Sequence, residues 1–347
     1  MSENKVTVYT LARELGVSVA AISRAFDPNS RLSHEKRELI LKTAARYNYQ
    51  PNRMASRLSM EELTIGVLNF SYIKSYYAEI QDGINAAYTA LKDYKVKCDM
   101  RILQRGEASM EDAFAVLDEF YTRHYDGVII SGFYEDCVTK FIDRMADAGI
   151  RVATVQYNHE KSKRLFASMS NYPMIGEMAA QLCGILLRGS AGKKTVMFTG
   201  NEKSPTHQAL VESFCSAAPR EGFWITDIYD TKDRAECADE MVRKAFQTHP
   251  DIDAIYSSSA NSIPICRYLE EQGLGDRVVF VASDVFAEMY RYLENRTIDA
   301  TIYQEPFKMG YNAFELLYHA IAEGQPIAPT VYSTPRVVLS SNLHCYR

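Results

Sequence analysis

The sequence predicts two fold classes in one chain: an all-α helix-turn-helix head, and a two-lobed α/β body built on parallel sheets with Rossmann-like lobes. Three observations carry this. Two short helical patterns meet at a glycine turn between Thr7 and Phe26. From Thr64 onward, short apolar runs alternate with helical patterns, the signature of strands covered by helices on both faces. Charge also divides the chain: residues 1–60 carry ten Lys and Arg against five acids, a net of +5, whereas residues 61–347 hold 29 against 39, a net of −10.

The head is read residue by residue. Thr7 caps a helix whose apolar positions Val8, Leu11, Ala12 and Leu15 recur at spacings of three and four, and Gly16 stops it. Ser18 caps a second helix to Phe26, with Ile22, Ala25 and Phe26 toward the first helix and Val19, Ala20, Ser23 and Arg24 elsewhere. A third helix runs from a Ser33 cap to about Tyr47, with Leu39, Ile40 and Ala44 inward and Lys36, Arg37, Lys42 and Arg46 outward. Such a pair of helices places the N-terminal end of its second helix in the major groove. A basic head on an acidic body suits contact with phosphate at one end only. The plainer alternative is a small helical domain with no nucleic-acid role.

The order and spacing of Val6-Thr7-Val8-Tyr9, Ala12, Gly16-Val17-Ser18, Ile22-Ser23-Arg24, Tyr49, Pro51-Asn52-Arg53 and Leu58 resemble the head of the LacI/GalR family of bacterial transcription regulators. The resemblance extends more weakly to the C-terminus. It implies that Val19 and Ala20 face the base pairs, that Arg24 addresses a base edge, and that Thr7, Tyr9, Ser18, Ser23, Ser33 and Asn52 hold phosphates. Val19 and Ala20 are small and apolar, so they offer methyl contact only; selectivity would lean on Arg24, Arg31 and the hinge. Asn52 to Leu58 is too short for a stable free helix. By the same resemblance it becomes a minor-groove helix on DNA, with Arg53 in its motif, Leu58 as an apolar wedge, and Ala55 one turn earlier on the same face. Alternatively, Leu58 packs on the body. Ser59-Met60-Glu61-Glu62 departs from the family in lacking Gly, Lys or Arg just after the hinge.

The body carries no apolar run near eighteen residues and no N-terminal signal peptide, so an intracellular, cytoplasmic protein with no membrane partner is expected. Seven scattered cysteines lack a Cys-x-x-Cys and read as reduced thiols. Seven histidines form no ligand pattern, so neither a metal nor a cofactor is expected. No Gly-x-Ser-x-Gly, Gly-x-Gly-x-x-Gly or Walker loop is present, which argues against an enzyme.

Strands are expected at 64–68, 98–103, 127–130 and 152–155 in one lobe, and at 195–198, 225–229, 254–256, 278–281 and 301–302 in the other, with crossovers near 158–168 and 303–306. The domains follow: head 1–50, hinge and linker 51–62, effector-binding and dimerisation body 63–347. Within the body, the N-lobe spans about 63–160 plus 305–330 and the C-lobe about 165–303 plus 331–347. Ligands of open parallel sheets sit beyond the carboxyl ends of the strands. Phe70, Tyr72, Tyr76 and Tyr77 follow the first strand and can stack on a sugar ring, although each tyrosine reads equally well as core. Asp284 and Gln304 follow two later strands and together suit vicinal hydroxyls; the alternative for Asp284 is a helix cap. Val281-Ala282-Ser283-Asp284 and Asp299 to Pro306 also resemble the family's periplasmic-binding-protein-like core, where the matching Asp and Gln contact ligand.

Three departures bear on the ligand. Ser204-Pro205-Thr206-His207-Gln208 stands where the family commonly has an arginine, Asn171 where an aspartate is frequent, and Ser257 to Asn261 is hydroxyl-rich. His207, Gln208 and Asn261 are the substitute donors, and an anionic ligand is disfavoured. The expectation is a homodimeric repressor of carbohydrate-utilisation genes that binds a near-palindromic double-stranded DNA operator under control of a small sugar effector. A purine-responsive regulator and a sugar sensor or scaffold without DNA binding are the alternatives.

Overall fold

The computed structural model describes residues 7–26, 30, 32–47, 49, 61–71, 73–190 and 193–346. The chain divides into two compact units, one of Met1–Glu62 with Lys92–Lys95 and one of Leu63–Leu91 with Val96–Arg347.

In the first unit, α1 (Val8–Leu15), α2 (Val19–Ala25) and α3 (His34–Arg46) enclose a core of Leu11, Ala12, Ile22, Ala25, Ile40 and Ala44. Thr7 and Thr10 form a reciprocal cap at the start of α1, and Gly16 ends it at φ +62°, a left-handed turn that a side chain would strain. The Ser18 hydroxyl accepts from the Ala21 amide, 3.2 Å away, and starts α2. Ser33 precedes α3 without a side-chain cap bond. Three expectations need correction. Leu39 is 54% exposed, because the inward face of α3 is carried by Ile40 and Ala44, four residues apart. Val19 packs partly against the core from the first turn of α2. Arg37 reaches back to donate to the Ala25 carbonyl at 3.1 Å. Arg31, Asn52, Arg53, Ala55 and Leu58 lie outside the described residues, as does Tyr72.

The second unit holds two six-stranded sheets. The N-lobe sheet runs in the order β11-β5-β4-β3-β1-β2 and the C-lobe sheet β12-β10-β9-β8-β6-β7. The N-lobe strands are β1 (Leu63–Ser71), β2 (Val96–Gln104), β3 (Gly127–Ser131), β4 (Arg151–Val155), β5 (Phe166–Ser170) and β11 (Thr330–Ser333), all parallel. The C-lobe strands are β6 (Lys194–Thr199), β7 (Trp224–Asp230), β8 (Ala254–Ser257), β9 (Val279–Ser283), β10 (Ala300–Tyr303) and β12 (Arg336–Val338), with only the β10–β12 pair antiparallel.

All nine expected strands form, extended by a few residues. Three more were not expected: β5 moves the first crossover beyond 158–168 and β11 delays the return to the C-lobe past 331, while the middle crossover falls within the expected 303–306. β5 keeps the chain in the N-lobe to Ser170, and β11 keeps it there to Ser333, so the passages fall at 171, 304–305 and 334–335. β5 reads Phe-Ala-Ser-Met-Ser, and its serines bond to backbone rather than fill an apolar core, which is why no apolar run marks it: the Ser168 hydroxyl donates to the Met309 carbonyl of the covering N-lobe helix and that of Ser170 to the Gln304 carbonyl at the crossover, each at 2.9 Å.

Helices cover both faces. α4 (Lys74–Leu91) crosses α12 (Pro306–Glu323) where two glycines meet the opposite backbone: a Cβ on Gly83 would lie 1.9 Å from the Phe307 carbonyl oxygen, and one on Gly310 would lie 2.0 Å from that of Ile80. This crossing fastens the returning chain to the N-lobe. In the C-lobe, α7 (Tyr172–Leu186) and α8 (Pro205–Ala217) pack Ile175, Ala179, Leu210 and Phe214 against Met197, Tyr256 and Val281 of the sheet. No described helix is long and apolar enough to cross a membrane.

Candidate functional site

The carboxyl ends of the parallel strands of both lobes face one cleft, and eight strand ends, those of β1 and of β4 to β10, supply its wall. Ile73, Tyr76 and Tyr77 follow β1, Gln156 and Tyr157 follow β4, and Tyr172 follows β5. Thr206, His207 and Leu210 follow β6, Asp233 follows β7, and Ser258 to Ala260 follow β8; Asp284 ends β9 and Gln304 ends β10. The space left is about 40 Å³, room for roughly one water molecule. Admission of a larger ligand therefore requires the lobes to part.

The N-lobe wall is aromatic. Tyr76, Tyr77 and Tyr157 are each less than a tenth exposed, as is Tyr172 from the C-lobe side. The Tyr77 hydroxyl donates to Gln156 Oε1 at 2.6 Å, which orients an amide held at φ +75°. The Tyr172 hydroxyl donates to the Gln156 carbonyl at 3.3 Å, and the hydroxyls of Tyr157 and Ser204 lie 3.5 Å apart. Burial pushes the Tyr157 phenol up to about 12, so it remains a neutral donor at any physiological pH.

The C-lobe wall is polar. Asp284 stands at φ +65°, 2% exposed, with its carboxyl facing Gln304: Oδ2 accepts from Gln304 Nε2 at 3.0 Å and Oδ1 from the Gln304 amide at 3.3 Å. The Thr301 hydroxyl donates to its carbonyl at 2.6 Å and fixes the turn. Burial, and secondarily the Glu79 carboxyl, push the Asp284 carboxyl up to about 8. Glu79 accepts the Tyr303 hydroxyl at 2.5 Å across the lobes, and burial raises it to about 6. On the opposite side of the wall, His207 Nε2 lies 3.3 Å from Asp233 Oδ1, and the second Asp233 oxygen accepts the Asn201 amide at 3.0 Å. Burial opposes ionisation of Asp233, but the imidazole and that amide outweigh it and hold its carboxyl below the usual range. His207 Nδ1 is buried with no partner among the described residues.

Five of the expected ligand residues, Tyr76, Tyr77, His207, Asp284 and Gln304, thus come together. Three do not line the cleft. Phe70 lies within β1, not on the loop after it, and points into the N-lobe core against Phe133 at a centroid distance of 5.1 Å. Gln208 is exposed, its amide donating to the Glu202 carbonyl at 2.9 Å. Asn261 falls just beyond Ala260 at the start of α10 (Ser262–Glu271), with a buried, unpartnered Nδ2. Asn171 caps α7 through the Met174 amide at 3.1 Å. The residues not anticipated are Gln156, Tyr157, Tyr172, Thr206 and Asp233. All follow strand ends: Tyr172 was hidden because β5 was not recognised, whereas Gln156, Tyr157, Thr206 and Asp233 follow strands that were expected.

The model of the periplasmic binding protein domain family matches residues 65–326. The chain belongs to that family. Its curated relatives carry the names of transcription regulators and catabolite control proteins, and the chain is similar to these LacI/GalR-like proteins. It is 31% identical to catabolite control protein A of Priestia megaterium over 65% of this chain and 64% of that one. It is 25% identical to the HTH-type transcriptional regulator pepR1 of Lactobacillus delbrueckii subsp. lactis over 79% of this chain and 78% of the relative. The match to catabolite control protein A of Streptococcus mutans, 27% identical, spans 38% of each chain, so the chain matches less than two thirds of some of these relatives. Among solved structures, GanP, a glucose-galactose binding protein from Geobacillus stearothermophilus, shares the fold at a TM-score of 0.71 and 23% identity, over 82% of this chain and 99% of that one.

Proposed function

We propose that this family member is a sequence-specific DNA-binding transcription regulator, a repressor of carbohydrate-utilisation genes acting as a homodimer in the cytoplasm, with operator affinity set by a small sugar in the inter-lobe cleft. The observation that carries the reading is the Asp284–Gln304 pair. A carboxyl and an amide fixed at adjoining strand ends offer the acceptors and donors that vicinal hydroxyls need, and the tyrosines that share the cleft, Tyr76, Tyr77 and Tyr157 from the N-lobe and Tyr172 from the C-lobe, offer the aromatic surface that the apolar side of a pyranose needs. The head supports the DNA half. Tyr9, Ala20, Ser23 and Arg24 are exposed around α2, and the hydroxyls of Thr7 and Ser18 hold the helix starts in register.

The mechanism joins these ends. Sugar draws the lobes together by bridging Asp284 and Gln304 to the tyrosine wall. A lobe-dependent spacing of the two hinges in the dimer then changes how well residues 52–58 fold on DNA. Ligand and operator affinities are linked reciprocally, whichever sign the coupling takes. Asp284→Ala should abolish the sugar heat in calorimetry while leaving a footprint on the chain's own upstream DNA unchanged; a normal sugar heat from that variant refutes the site. The four tyrosines favour a second reading, a purine effector stacked between rings, which the same calorimetry tests with adenine and guanine.

A further inference from the structure

The lining of the cleft has a one-sided charge. It includes two carboxyls, Asp233 and Asp284, and among the described residues no lysine or arginine. The two carboxyls are not equivalent. Asp233 already has an imidazole beside it at 3.3 Å and a backbone amide at 3.0 Å. Among the described residues, Asp284 has as donors the two nitrogens of Gln304, both neutral. The charged group acting on it is another carboxyl, that of Glu79, which accepts the Tyr303 phenol. Tyr76, Tyr172 and Tyr303 stand within electrostatic reach of Asp284, and Tyr76, Tyr77, Tyr157 and Tyr172 line the same space. A buried carboxyl calls for a cation or a proton. Tyrosine faces attract cations and not anions.

We infer that the effector is an amino sugar, a pyranose whose protonated amine seats against Asp284 among the tyrosines while its hydroxyls engage Gln304 and the serines of the loop after β8. This deepens the sugar reading and rests on it. The amine supplies the counter-charge that the protein omits. Its arrival lets Asp284 give up its proton, so one charge pair forms on closure. The Ser258 and Ser259 hydroxyls, each 2% exposed, already bond within the C-lobe to Thr199 and to the Asn261 amide at 3.2 Å, and each retains acceptor capacity for a ring hydroxyl.

The test is calorimetry of the full chain at neutral pH against three matched sets: glucose, glucosamine and N-acetylglucosamine; galactose, galactosamine and N-acetylgalactosamine; and mannose, mannosamine and N-acetylmannosamine. Glucose 6-phosphate serves as the anionic control. In the set whose stereochemistry fits, the free amine should bind at least about ten-fold tighter than both the neutral hexose and the acetylated sugar, and the phosphate should not bind. Asp284→Asn should erase that preference, bringing amine and hexose within about two-fold. Equal or tighter binding of a neutral or acetylated sugar overturns the amine inference alone and leaves the sugar reading standing. Binding of the phosphate overturns it as well. No binding across all sets overturns both.

Discussion

At the scale of the residue, Asp284 concentrates the chemistry of the chain. It occupies a left-handed backbone conformation, uncommon for a residue with a side chain and typical of functional positions, and it is enclosed, its carboxyl accepting from amide donors of Gln304. Its carboxyl titrates near 8 in the folded chain against 3.8 for an ordinary aspartate. The folded state therefore binds the proton more tightly, so the contribution to stability is complete below about pH 4 and is lost as pH rises toward 8. Glu79, raised to about 6 from 4.5, adds to the lower part of the same window. The ligand-free chain should accordingly melt at falling temperature from pH 5 to pH 8, and Asp284→Asn should flatten that slope. Differential scanning calorimetry at several pH values decides it, and an unchanged slope in the variant would remove Asp284 as the titrating group.

At the scale of the element, what could be read from sequence depended on whether a segment's burial was apolar. Val128-Ile129-Ile130 and Val279-Phe280-Val281 bury continuous hydrocarbon and are legible as strands. β5, β11 and β12 are not, because Ser168 bonds to the backbone of α12, Ser170 and Ser333 bond to the crossover backbone at Gln304, and β12 is only three residues long. The same omission hid Tyr172, which follows β5 directly. Asp233 escaped for a different reason: nothing local links it to His207, 26 positions earlier, and only the β6–β7 pairing brings the loops together. Asp284 and Gln304 were legible because strand-end position and family resemblance agreed.

The α4–α12 crossing makes a separate prediction. Gly310→Val forces backbone against backbone and should cost at least about 1–3 kcal/mol, lowering the melting temperature of the body; a wild-type melting curve would mean the helices can separate there at little cost. In the hinge, Leu58→Gly should remove most operator affinity and DNA bending while sugar heats stay at their wild-type value. Unchanged bending in a circular-permutation assay would remove Leu58 as the wedge.

At the scale of the whole molecule, the cleft is nearly closed at about 40 Å³, and polar contacts between lobes, among them Tyr303 with Glu79 and Asn201 with Tyr134 at 3.3 Å, hold it so. A cleft that must open to load and close to signal converts ligand binding into a rearrangement of the lobes. Such a rearrangement is what the proposed regulator requires of its effector-binding body. On the proposed function, the segregation of charge, +5 in residues 1–60 and −10 in the remainder, should confine DNA to the head and make affinity steeply salt-dependent.

The central claim is that this cleft controls that head. Fluorescence anisotropy of the full chain titrated onto its own upstream DNA at fixed salt, with and without the amino sugars, neutral sugars and purines, tests it in one experiment. The account predicts binding far tighter than to random DNA, shifted about five-fold or more by one compound and unshifted in Asp284→Ala. Binding no tighter than to random DNA, or a shift that survives loss of Asp284, would contradict it.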